Sequence, residues 1–262
     1  MGVVNATPDS FSDGGAYLDA GAAVSHALQL REDGADILDI GGESTRPGAD
    51  DVPLEIELAR TIPVIEGVRK KGCAAAISID TRKPEVARAA VTAGASIWND
   101  VTALTFAPDS LEVAASLSCD IVMMHAQGDP KTMQKDPHYD DVVEEVYAYL
   151  AKRIEACVKA GVDETRLIVD PGIGFGKTLD HNLALLANLD RFCALGRPVL
   201  LGASRKRFIA ALDRDAPAGE RLGGSLAAVM AGLKGGASIF RVHDVAETRQ
   251  ALSVFSAIED RR

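Results

Sequence analysis

Short apolar runs recur along the chain: GVVNA (2–6), ADILDIG (35–41), AAISID (75–80), SIWND (96–100), DIVMMH (120–125), RLIVD (166–170), RPVLLGAS (197–204) and SIFRVHD (238–244). Each is nearly continuous rather than alternating, the pattern of a strand buried on both faces. Between them lie helical stretches. AGAAVSHALQLREDG and KPEVARAAVTAGA are Ala-rich, amphipathic and close on glycine. VVEEVYAYLAKRIEACVKAG is the longest, and DHNLALLANLDRF and GGSLAAVMAGLKGGA follow. Strand signals alternating with helices predict an α/β fold, a single (β/α)8 TIM barrel over 1–262 as one domain. A doubly wound open sheet would want a GxGxxG turn after its first strand, and none follows 2–6. Four irregular pieces, 7–19, 42–53, 126–137 and 205–219, each fall after a strand and before a helix. In a barrel that is the face that carries the chemistry.

The strand ends are polar where buried strands should not be. They finish in Asn5, Asp39, Asp80, Asn99-Asp100, His125, Asp170, Ser204-Arg205-Lys206 and Arg241-Val242-His243-Asp244. One such Asp or Asn is explained as a helix cap. A polar end on every strand predicts a polar mouth. Asp80, Asn99 and Asp170 supply acceptors that suit a flat heterocycle with several N–H groups on one edge. Arg205, Lys206, Arg241 and His243 supply donors and positive charge for a phosphate or pyrophosphate. Arg241 and His243 are two apart and share a strand face. The competing reading of 205–207 is a solvated basic run.

Other chemistries are weaker. DPGIGFGKT (170–178) ends like a P-loop, but that motif needs a glycine where Pro171 stands, and Asp170 at its entrance would repel phosphates. Lys206 as a Schiff-base nucleophile would need a dry site, and it follows a strand in a polar turn. His125, His138 and His181 lack metal-ligand spacing. The formal net charge of −10 excludes a chain-wide nucleic-acid surface. Cys73, Cys119, Cys157 and Cys193 form no CxxC pair, which predicts reduced thiols in a cytosolic protein. No signal-peptide pattern opens the chain, and no apolar run approaches the ~20 residues of a membrane helix.

NATPDSFSDGG (5–15), GGESTRPG (41–48), IDTRKP (79–84), DPGIGFGK (170–177), SRK (204–206) and RVHD (241–244) occur in this order, and with them the chain resembles the dihydropteroate synthase family. The resemblance implies a (β/α)8 barrel that joins 6-hydroxymethyl-7,8-dihydropterin diphosphate to 4-aminobenzoate, with release of pyrophosphate. It implies that Asp80, Asn99, Asp170 and Lys206 hold the pterin. Asn5 would ligate Mg²⁺ bound to the diphosphate. Thr45, Arg241 and His243 would contact the diphosphate or the cation it leaves, and Arg46 and Val242 join the substrate-binding set. Phe175, Ser204 and the first two long loops would take the aminobenzoate. Asp13 would stabilise the cation and Phe11 would cover the acceptor. Arg207-Phe208 depart from the family pattern, in which a smaller residue is common, and Phe208 would narrow the aminobenzoate entrance. Catalytic roles thus fall to Asp13, Thr45, Lys206, Arg241 and His243. The family is usually a homodimer, and its members usually carry residues ahead of the Met-Gly strand, so the first strand here is expected to be short. Two alternatives share the fold. A methyltransferase acting on methyltetrahydrofolate needs no diphosphate site, and a non-catalytic pterin-binding barrel would tolerate loss of Asn5, Lys206 or Arg241.

Overall fold

The computed structural model describes residues 1–6, 20–44, 51–128, 133 and 135–261. Strands and helices alternate as the apolar runs require. The parallel strands are β1 (Gly2–Asn5), β2 (Ile37–Gly41), β3 (Ala76–Asp80), β4 (Ile97–Asp100), β5 (Asp120–Met124), β6 (Leu167–Asp170), β7 (Leu200–Leu201) and β8 (Ile239–Phe240). β1 to β6 pair in sequence order, and β7 pairs with β8. Single parallel bridges, Val169 to Val199 and Gly2 to Val242, join the two sets into a ring. Val3 N donates to Val242 O at 3.1 Å, and Val242 N donates to Met1 O at 2.9 Å. The last two strands are shorter than their apolar runs, because pairing there reduces to these few bonds.

The outer ring holds α1 (Ala20–Glu32), α2 (Leu54–Lys70), α3 (Pro84–Thr92), α4 (Ser110–Ser116), α5 (Val142–Lys159), α6 (Leu179–Ala187), α7 (Leu189–Cys193), α8 (Arg207–Leu212), α9 (Leu222–Lys234) and α10 (Val245–Glu259). Local chemistry sets several starts. Pro84 opens α3 at a position whose N–H needs no partner. The Asp141 carboxylate accepts from Val143 N and Glu144 N to cap α5. Thr178 and His181 form a reciprocal capping box on α6. The run 180–192 breaks at Asn188 into α6 and α7. The stretch 205–219, expected to be irregular, contains α8 and a 3-10 turn, Ala218–Glu220.

Alternation along the strands gives two cores. Outward residues such as Val4, Leu38, Ile77, Trp98, Ile121, Leu167 and Val169 pack with the helices in one large cluster. Inward residues Ile97, Val122, Ile168 and Leu200 form a second, with Met1, Ile37, Ala76 and Ile239 against it. That inner plug fills the end of the barrel at which the strands start. Two residues past Ile37, Ile97, Ile168 and Ile239 the inward positions turn polar, at Asp39, Asn99, Asp170 and Arg241.

Candidate active site

The inward positions above the plug are Asp39, Asp80, Asn99, Asp170 and Arg241. Register explains their convergence: Gly41 lies opposite Asp80, Asp80 opposite Asn99, and Met124 opposite Asp170. Arg241 enters from β8. Its Nε donates to Asp39 Oδ2 at 2.6 Å and its second nitrogen to Asp80 Oδ2 at 2.8 Å. Asn99 Nδ2 lies 3.4 Å from both Asp39 oxygens. Asp80 Oδ1 is buried and has no hydrogen-bond partner among the described residues. An unsatisfied buried acceptor is costly, and it marks a place for a donor from outside the chain.

Charge is strained here. Burial pushes Asp80 up to about 7, with Arg241 opposing and Asp39 adding to the rise. Burial also raises Asp170, against the pull of Lys206 and the 2.7 Å bond from Gly172 N. Burial works against the charge on Arg241, but Asp39 and Asp80 outweigh it and hold the guanidinium above its usual value. Burial lowers Lys206 to about 8, although Asp170 favours its charge. The Lys206 ammonium donates to Ile173 O and sits 4.6 Å over the Phe175 ring. Lys206 is therefore drier than its place in a polar turn suggests.

β8 and the turn after β7 build the other side. Ser204 Oγ accepts from His243 N at 3.2 Å and lies 3.0 Å from His243 Nδ1. The two contacts hold the imidazole and the main chain of His243 on one hydroxyl. Ser204, expected at the aminobenzoate, thus orients His243. Asn5 ends β1 with its backbone opposite Gly41.

Alternation also removes some predicted residues from the mouth. Val242, expected among the substrate-binding residues, is buried in the outer core, and both its backbone groups close the barrel. Asp100 faces outward and accepts from Thr102 N, Thr102 Oγ1 and Leu104 N at 2.7–2.9 Å. Arg205, expected to supply phosphate-binding charge, is paired with both Asp244 oxygens. Phe208 is buried in the outer core rather than standing at an entrance. Asp13, Thr45, Arg46 and Phe11 lie outside the described residues.

Other participants were not legible as such. Asp39 is fully buried and is the closest partner of Arg241. Glu43 clasps the base of the β2–α2 connection: it accepts from Val52 N at 2.8 Å, from Arg82 at 3.1 Å and from Lys83 at 3.0 Å. Lys83 continues to the buried Glu57 at 2.5 Å. The sequence places Glu43 in the GGEST motif but gives no sign of this network.

Asn5 offers an amide oxygen, a hard donor of the kind Mg²⁺ accepts. Among the described residues no group of three His, Cys, Asp or Glu could hold a metal ion. That donor set fits an ion bound mainly through substrate phosphates and does not fit an all-protein cage.

An α/β barrel with a polar mouth of paired carboxylates and cations defines an enzyme of the small-molecule-binding kind. The pterin binding enzyme family matches residues 1–243, and the chain belongs to it. Dihydropteroate synthase from Escherichia coli (strain K12) is 48% identical over 257 residues, covering 98% of this chain and 90% of that protein. The solved Xanthomonas albilineans dihydropteroate synthase with 4-aminobenzoic acid superposes with a TM-score of 0.93 at 52% identity, covering 99% of this chain and 92% of the other. The same enzyme in complex with 7,8-dihydropteroate gives a TM-score of 0.89 at 49% identity, with coverage of 99% and 92%.

Proposed function

We infer that the chain is a dihydropteroate synthase, a transferase of folate biosynthesis that joins the pterin diphosphate to 4-aminobenzoate. The observation that carries the site assignment is Asp80 Oδ1, a buried acceptor without a donor, in a ring with Asn99, Asp170 and Lys206. A pterin ring edge supplies N–H donors of that kind. Asp80, Asn99 and Asp170 accept from it, and Lys206 donates to its acceptors.

In the reaction the bond from the pterin methylene to the diphosphate oxygen breaks, and the electron pair leaves with pyrophosphate. Arg241 and His243 donate to the departing group as its charge develops. The pterin ring shares the positive charge left on the methylene. The arylamine lone pair then forms the new C–N bond, and the nitrogen sheds a proton. Phe175 gives the acceptor an apolar wall, and its pocket keeps out water that would compete for the cation. Mg²⁺ held by Asn5 and the diphosphate would offset charge on the leaving group. Asp13, Thr45 and Arg46 complete the set.

Two further assignments go with this reading. A cytosolic location agrees with four free cysteines and with the absence, among the described residues, of a helix long and apolar enough to cross a membrane. A homodimer agrees with the exposed Val254 and Ile258 on α10, and light scattering tests it. The decisive assay for the function is pyrophosphate release from the pterin diphosphate, with and without 4-aminobenzoate and Mg²⁺. Release that depends on both is expected. No release under any of these conditions would overturn the assignment, and release without Mg²⁺ would remove the role of Asn5.

A further inference from the structure

Lys177 is only 3% exposed, yet its ammonium contacts neutral groups: Phe175 O at 2.9 Å, His125 Nδ1 at 3.0 Å and His125 O at 3.4 Å. A lysine buried this way is expensive. Burial lowers it to about 7 against the pull of Asp170, and burial together with Lys177 drives His125 down to about 3, so the imidazole is neutral. The arrangement is costly in stability, and its gain is geometric.

The β6–α6 turn lies directly on the backbone that follows β5. Gly172 and Gly176 have φ values of 70° and 61°. A Cβ on them would lie 1.8 Å from His125 O and 2.4 Å from Gln127 O. Lys177 bolts the two segments together from behind. In front, the Phe175 ring and Ile173 O face Lys206. One backbone bond joins the halves of the turn, from Phe175 N to Gly172 O at 3.2 Å, and each half also has its own side-chain anchor. Gly172 N donates to Asp170 Oδ1 at 2.7 Å and Gly174 N to Asn182 Oδ1 at 2.6 Å, which fixes Ile173. Phe175 O depends on Lys177, and Gly176 O accepts from Tyr139 OH at 2.9 Å.

We propose that Lys177 is a positioning residue for the second substrate: it fixes the Phe175 main chain, and so the ring face offered to the arylamine. The proposal rests on Phe175 lining the aminobenzoate side. Because Ile173, which accepts from Lys206, is held through Asp170 and Asn182 rather than through Lys177, the first substrate should be affected less. Lys177→Met is expected to raise the KM for 4-aminobenzoate roughly tenfold, with the KM for the pterin diphosphate changed by less than about twofold. Lys177→Gln, which keeps donors on a shorter stem, should fall between Met and wild type. Tyr139→Phe loosens the turn one residue further on and should raise the KM for 4-aminobenzoate by about threefold. These last two variants decide the matter if the Met variant does not fold. Phe175→Ala separates the two ideas. If it leaves the KM for 4-aminobenzoate unchanged, the wall assignment fails. If it raises that KM while folded Lys177 and Tyr139 variants do not, or if those variants raise both KM values equally, the positioning role is overturned.

Discussion

The inside of this barrel has two halves built on the same strands. At the strand starts, Ile97, Val122, Ile168 and Leu200 form an apolar plug. Two residues on, Asn99, Asp170 and their neighbours Asp39, Asp80 and Arg241 form a buried polar layer. The plug gains stability from burial, about 25 cal/mol per Å² of apolar surface. The polar layer is strained: burial pushes Asp80 and Asp170 up and Lys206 down, and Asp80 Oδ1 has no partner among the described residues. Thus one strand serves stability at its start and binding at its end.

The sharpest way to break this division is to swap the expected effects. Lys206→Met should lower turnover roughly 100- to 1000-fold while the melting temperature holds, because the change removes a poorly solvated cation. A matching loss of stability would contradict the division. Ile168→Ala should do the reverse, costing about 2–5 kcal/mol in denaturant unfolding, with the folded fraction keeping its KM values. Next comes pH. Asp80 must be ionised to accept from the pterin, so affinity should rise as pH climbs through about 7. Lys206 must stay protonated, so affinity should fall above about 8. Calorimetric titration across this range checks both limbs, and Asp80→Asn should abolish the lower one. The smallest effect is Ile97→Val, about 1 kcal/mol in stability with no change in turnover.

The strands were legible because continuous apolar runs suit a buried parallel sheet, and the polar ends pointed to the mouth. What the sequence hid follows from the two-residue period. It shows which residues end a strand but not which way each end faces in the closed ring. Asp100 and Val242 therefore looked equivalent to Asn99 and Arg241, yet they face outward, and Asp244, beside His243, is taken up by Arg205. Arg205 looked like part of a cationic run because its partner Asp244 is distant in sequence. The helical pattern did not single out α2, where Pro63 lies inside a charged segment. Lys177 closes a glycine-rich loop, a setting that usually leaves lysine in water, and only the fold turns it inward.

The most direct test compares two neighbours on β6. Titrate the pterin diphosphate into Asp170→Asn and Ile168→Val by calorimetry, and melt both. Asp170→Asn should keep its bond from Gly172 N and its melting temperature, yet bind the pterin at least about tenfold more weakly. Ile168→Val should bind as wild type and melt lower. Wild-type affinity in Asp170→Asn would contradict the account.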